Sequence, residues 1–125
     1  MKKYLAITGG VGGAKLALGL TKILSESEVA FLVNTGDDFE HMGLAISPDL
    51  DTLMYTLSGL SNVELGWGRS GETWRCLDAY KKLGGDSWFS LGDEDLAVHL
   101  RRTEMLKLGS SLSEVTACLL YTSDA

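Results

Sequence analysis

The chain is short of positive charge: 11 lysines and arginines stand against 17 aspartates and glutamates, a net charge of −6 over 125 residues. A basic face that releases counterions from nucleic acid is therefore not available, and any phosphorylated ligand has to be held by local groups. Cysteine is scarce too. Cys76 and Cys118 have neither metal-ligand spacing nor the pattern of a disulfide framework, so they read as free intracellular thiols without redox chemistry. Long hydrophobic runs are missing as well. Met1-Lys2-Lys3 leads into the short apolar segment Tyr4 to Thr8 and then glycines, too little for a signal peptide or a membrane span. The expectation is a cytoplasmic protein with no membrane and no nucleic-acid partner. What remains is an ordinary globular composition, 45% hydrophobic and 22% charged, with length for a single core.

Two apolar runs, Tyr4 to Thr8 and Val29 to Asn34, are each ended by glycine or Gly-Asp-Asp and read as buried parallel strands. Between them Leu16, Leu20, Ile23 and Leu24 recur at helical spacing, predicting a helix from Ala14 to about Ser25 and hence a βαβ unit. The chain's one proline, Pro48, follows Ser47 and precedes Asp49, the pattern of a capped helix start. Leu50, Leu53, Met54 and Leu57 form its stripe, with Asp49 and Asp51 flanking it and Gly59 as the stop. A further helix is predicted from Glu72 to Leu83. The run Trp88 to Leu91 reads as a third strand or a buried loop. Asp93 is expected to cap a helix that ends at Gly109, and Ser111 with Glu114 has capping-box spacing for another.

The fold class expected is α/β: a parallel sheet with flanking helices, incomplete at the C-terminus, because two or three strands leave edges exposed. Residues 118–125 read as a tail foreign to the protein, leaving 1–117 as the part that carries structure.

The segment Gly9-Gly10-Val11-Gly12-Gly13-Ala14-Lys15 joins a strand to a helix, where bare backbone N–H groups and the helix dipole can hold a phosphate. It matches neither standard fingerprint: Lys15 stands where a third glycine belongs, and Leu16 follows the lysine. A tight turn with no ligand is the plain alternative. Asp37 and Asp38 lie at the carboxyl edge of the second strand, placed to hold Mg2+ or a sugar hydroxyl, or simply to make a turn. Asp49, Asp51 and Thr52 at a helix start are explicable as capping. Asp95, His99 and Arg102 fall at i, i+4 and i+7 on one face, a line that suits either phosphate neutralisation or surface ion pairing. Trp67, Trp74 and Trp88 read as core rather than as stacking platforms.

Six ordered segments together resemble the 2-phospho-L-lactate transferase family of coenzyme F420 biosynthesis: residues 9–15, Val-Asn-Thr-Gly-Asp-Asp at 33–38, Ile-Ser-Pro-Asp-Leu-Asp-Thr at 46–52, Gly-Trp-Gly at 66–68, Trp-Phe-Ser-Leu-Gly-Asp at 88–93 and Asp-Leu-Ala-Val-His-Leu-Arg-Arg-Thr at 95–103. The resemblance implies a Rossmann-like domain over 1–117. It also implies transfer of a phospholactyl or phosphoenolpyruvyl group from a guanosine diphosphate conjugate to the deazaflavin Fo, with release of GMP and help from Mg2+. By position, Gly9, Gly10, Gly12, Gly13 and Lys15 would meet the donor phosphates, with His99 and Arg102 as second choices. Asp37 and Asp38 would lie near the metal. Asp49, Asp51, Thr52, Ser90 and Asp93 would meet Fo, with Asp49 or Asp51 orienting the attacking hydroxyl or taking its proton. Glu94 departs from the pattern, since many relatives carry a basic residue there. The oligomeric state is left open, a homodimer included. The competing readings are a non-enzymatic regulator that binds a nucleotide sugar and a plain dinucleotide-binding oxidoreductase domain.

Overall fold

The computed structural model describes residues 2–65 and 68–124, the side chains of 122–124 excepted, so Met1, Gly66 and the core reading of Trp67 lie outside the described residues. Strand β1 (Tyr4–Thr8) runs parallel to β2 (Val29–Val33), with Tyr4 opposite Val29 and Thr8 opposite Val33. Helix α1 (Gly10–Ile23) connects them, completing the expected βαβ unit. It begins at Gly10 rather than Ala14, because the glycines wind into its first turn. Its buried line is Ala14 and Ala17, while Leu16 and Ile23 face outward. The strands form where the apolar runs predict, with Thr8 and Val29 buried but one face of the sheet open. Leu5, Ile7 and Leu32 are 64%, 75% and 55% exposed, because α1 covers only one face of the sheet among the described residues.

A hairpin follows that the sequence pattern does not announce. Strands β3 (Phe39–His41) and β4 (Leu44–Ile46) pair antiparallel across Met42 and Gly43, both at positive φ (57° and 74°), as a two-residue turn of this hand requires.

Helix α2 (Pro48–Leu57) starts at Pro48 as expected, and Gly59 (φ 74°) follows its end. Two details differ from expectation. Ser47 does not cap the helix with its hydroxyl, which instead donates to Asp38 Oδ2 at 2.8 Å. Asp51 is buried at 5% exposure rather than flanking the apolar stripe, because α2 packs on both sides: Leu53 and Met54 are buried with it.

Helix α3 (Arg75–Lys82) is shorter than predicted, and α4 (Asp93–Lys107) and α5 (Leu112–Asp124) fall where their signals place them. Ser111 and Glu114 form the capping interaction, with Glu114 N donating to Ser111 Oγ at 3.2 Å. Met54 and Tyr55 of α2, Val98 of α4, and Val115 and Leu119 of α5 make the hydrophobic cluster, so α5 contributes to the core beyond residue 117. No helix among the described residues is long and apolar enough to cross a membrane. Trp74 (36% exposed) and Trp88 (65%) stand at the surface, against their reading as core. Residues 88–91 form a loop rather than a strand. It lies on the hairpin through Phe39, whose ring meets Phe89 edge-on at 5.3 Å and Trp88 at 5.6 Å.

The starts of α3 and α4 exchange caps. Asp93 does not cap its own helix; its carboxylate accepts from Thr73 Oγ1 (2.6 Å) and from the N–H groups of Arg75 (3.2 Å) and Cys76 (2.9 Å) at the start of α3. Those bonds, that to Thr73 first, hold its carboxyl below the usual range. Glu72 in return accepts from the N–H groups of Glu94 (2.9 Å) and Asp95 (3.1 Å) at the start of α4. Gly92 permits the exchange, since a Cβ there would lie 1.9 Å from Glu72 Cγ. Gly92→Ala is expected to expel the Glu72 carboxylate and cost about 1–2 kcal/mol, the usual worth of a lost cap, read as a shift in the urea midpoint.

Candidate functional site

The carboxyl ends of β1 and β2 deliver Gly9 and Asn34 to the start of α2. Asn34 Nδ2 donates to Asp49 Oδ2 at 3.0 Å and approaches Asp37 Oδ2 at 3.4 Å, while its Oδ1 accepts from Gly36 N–H at 3.0 Å. Gly9, the N-cap of α1, sits close against this pair: a Cβ there would come within 3.3 Å of Asp49 Oδ2. Gly13 is the close-packing glycine, with an added Cβ 3.0 Å from Thr8 Cβ, whereas Gly10 (φ 65°) and Gly12 have open space above their backbone. The glycine segment thus presents an uncovered helix N-terminus beside the carboxyl edge of the sheet, the geometry in which N–H groups receive an anion.

Asp38 is half-buried. Its Oδ2 is taken by Ser47, and its Oδ1 has no hydrogen-bond partner among the described residues. Burial, reinforced by Asp49 and Asp37, pushes its carboxyl above the usual range against the opposing effects of Ser47 and Arg102. An exposed Asp37 and an orphaned oxygen on Asp38 are the hard oxygen donors that a divalent cation such as Mg2+ takes, so the pair fits such an ion.

A second group lies between α2 and α4, on the wall of a cavity of about 330 Å³. Asp51, Thr52 and Tyr55 come from α2, Asp95 and His99 from α4, and Ser90 from the loop before it. Three helical spacings converge here: Asp51 with Tyr55, and Asp95 with both His99 and Arg102. The line on α4 is not a surface ion pair, since His99 and Arg102 are 1% and 2% exposed. Arg102 binds Asp51 Oδ1 through Nη2, donates from Nη1 to the Ala45 carbonyl of β4 at 3.2 Å, and reaches His99 Nδ1 at 3.1 Å. His99 Nε2 lies 3.2 Å from Asp95 Oδ2, and Tyr55 donates its hydroxyl to Asp95 Oδ1. Thr103 ties the same helix to the hairpin by accepting from Ala45 N–H at 2.8 Å.

Burial pushes the Asp51 carboxyl up to about 6, although the Arg102 guanidinium opposes the rise. Asp95 moves the other way. Burial acts upward on it too, but the bonds from His99 and Tyr55 and the charge of Arg102 hold it below the usual carboxylate range. The Tyr55 hydroxyl is raised by burial first and then by the charge of Asp95. Two carboxylates on one wall are thereby driven apart in proton affinity. Asp51, Asp95 and His99 each place a donor atom within 4.8 Å of the others, a cation-like spacing. Arg102 already brings positive charge into contact with Asp51, so a metal there would face a like charge.

A smaller cavity of about 240 Å³, lined by Val11 and the exposed Lys15 of α1, adjoins the first and shares Thr52 and Gly68 with it. The structure thus brings Asp51, Thr52 and Ser90 to one chamber and Lys15 to its neighbour. Asp49 is instead engaged by Asn34, and Asp93 is turned to α3. His99 and Arg102 are both buried: His99 lines the chamber with Asp51, while Arg102 is engaged by Asp51 and the Ala45 carbonyl. Glu94 faces Arg69, whose Nε lies 2.8 Å from its Oε2, and Arg69 lies over the Tyr55 ring at 5.7 Å. Sequence reasoning passed over Asn34 and Tyr55. The second was legible as the i+4 neighbour of Asp51 on the same helix.

The family model of the 2-phospho-L-lactate transferase CofD matches residues 5–121. A phosphoenolpyruvate transferase of Nocardia farcinica is 51% identical over 120 residues, covering 94% of this chain and 36% of the relative. Proteins of the same name from Kitasatospora aureofaciens and Mycobacterium bovis are 47% and 40% identical over the same share of this chain, which spans 37% and 40% of their lengths. With a family model over nearly its whole length, the chain belongs to the 2-phospho-L-lactate transferase CofD family.

Proposed function

We propose that this chain forms the acceptor and phosphate-binding part of a transferase that moves a phosphoenolpyruvyl or phospholactyl group from a guanosine diphosphate conjugate to Fo in coenzyme F420 biosynthesis. The terminal ribityl hydroxyl of Fo attacks the phosphorus that carries the three-carbon acid. The bond from that phosphorus to the bridging oxygen breaks, and GMP leaves with the oxygen. Little covalent chemistry is asked of the protein, so positioning and charge stabilisation dominate.

The observation that carries the reading is Asp51: a buried carboxylate at the cavity wall, one oxygen held by Arg102 and Oδ2 without a hydrogen-bond partner among the described residues. A carboxyl raised to about 6 is poised to accept the hydroxyl proton near neutral pH. Asp49, held by Asn34, is the weaker candidate. Thr52 and Ser90 line the same chamber and suit the polyhydroxyl chain. Lys15 and the α1 N-terminus in the adjoining chamber suit the diphosphate. Asp37 and Asp38 would hold Mg2+, which when bound supplies charge neutralisation for the phosphates.

The names of the relatives favour phosphoenolpyruvate as the three-carbon acid and weigh against the nucleotide-sugar regulator. The test is GMP release with Fo and each of the two donors. Turnover with the phosphoenolpyruvyl donor is expected. Tight binding of a UDP-sugar with no affinity for Fo overturns the reading.

A further inference from the structure

The contacts of its two ring nitrogens bear on the tautomer of His99. A guanidinium nitrogen only donates, so at 3.1 Å from Arg102 Nη1 the His99 Nδ1 must be the acceptor. Asp51 Oδ2, at 3.7 Å from the same nitrogen, is too far to claim a proton on it. The ring proton therefore belongs on Nε2, beside Asp95 Oδ2 at 3.2 Å. A doubly protonated ring would set an N–H against the N–H of Arg102. The other Asp95 oxygen receives the Tyr55 hydroxyl, and Oδ2 faces His99 Nε2 as a close electrostatic contact, that nitrogen having no hydrogen-bond partner among the described residues.

We propose that His99 is a positioning residue locked as the neutral Nε2–H tautomer, and that the chain from Tyr55 through Asp95, His99 and Arg102 fixes the orientation of Asp51 so that its Oδ2 is left for a ligand hydroxyl. The proposal rests on the role assigned to Asp51 above. The groups that bear on the imidazole are Asp51 and Tyr55 from α2, Asp95 and Arg102 from α4 and the Ala45 carbonyl of β4 through Arg102, with Arg69 above Tyr55 and Asp38 sensing the Arg102 charge. None of them offers Nδ1 a better acceptor than Arg102 offers a donor. The tautomer of a histidine follows the hydrogen bond made by its other nitrogen, and here that bond is to a group that never gives up its proton.

Two measurements test this. Long-range proton–nitrogen correlation spectra of the 15N-histidine-labelled chain at neutral pH read the tautomer directly. The chain has two histidines, and a His99→Gln sample separates their signals. A bare Nδ1 and a protonated Nε2 are expected for His99; a proton on Nδ1 overturns the proposal, whatever the activity. GMP release is then compared in His99→Gln and His99→Leu. Glutamine offers one donor and one acceptor side by side, as the neutral ring does, whereas leucine offers neither. Leucine is expected to lower kcat about 100-fold with little change in KM for Fo, the scale of a misplaced reacting group, and glutamine to recover most of it. A folded glutamine variant as impaired as leucine overturns the positioning role. Absence of GMP release from the unsubstituted chain counts against the transferase reading instead, and the spectra then decide the tautomer alone.

Discussion

Asp51→Asn is expected to lower the rate of GMP release by about 10²- to 10⁴-fold, the range over which a general base contributes. The substitution preserves shape. An asparagine carbonyl can still accept from Arg102 Nη2, but the amide that replaces Oδ2 cannot take a proton. Asp49→Asn supplies the comparison, because Asp49 holds Asn34 and stands outside the cavity. Its effect is expected to be smaller and to fall on donor binding. Steady-state kinetics of both variants, with circular dichroism as the check on folding, measure the difference. Undiminished turnover in Asp51→Asn, or equal losses in the two, removes Asp51 from the chemistry.

The second large effect is on stability. Arg102→Met strips a buried carboxylate of its cation, a change that costs about 3–5 kcal/mol when the charge is left uncompensated. The cost is expected to depend on pH in a definite direction. Burial already places the folded carboxyl near 6, above the ordinary value of 3.8, and loss of the guanidinium removes its main opposition. The folded state then binds the proton more tightly than the unfolded state does. Stability is full at a pH below the unfolded value and is lost as pH rises through the folded one. Urea unfolding should therefore show a larger deficit at pH 8 than at pH 5. A deficit independent of pH shows that Asp51 is not the group left unpaired.

Much of the fold was legible where a single signal dominates. The βαβ unit followed from two apolar runs and a glycine segment, and α2, α4 and α5 from proline, glycine and the Ser111–Glu114 pair. The hairpin was not, because three-residue strands carry no periodicity and Met42 occupies a left-handed position usually signalled by asparagine or glycine. The fate of acidic residues at helix starts was hardest to read. Asp93 and Asp51 look alike in sequence, each in the first turn of a helix. Yet one serves a neighbouring helix and the other meets a cation 51 residues away. Capping rules are local, whereas both choices depend on which elements pack together. The α4 line was visible as three polar groups on one face, but its burial was not, because the covering hairpin was the element missed.

The exchanged caps at Glu72 and Asp93 give the cavity a mechanical dependence on residues that do not line it. Asp95 and His99 stand within the first two turns of α4, so their angle to Asp51 follows the angle at which that helix begins. That angle is fixed by a glutamate from the segment leading into α3. The stretch from Glu72 to Cys76 therefore works as a bearing for the cavity wall. Variation there should tune the alignment of the Asp51 chain without touching any residue of the chamber.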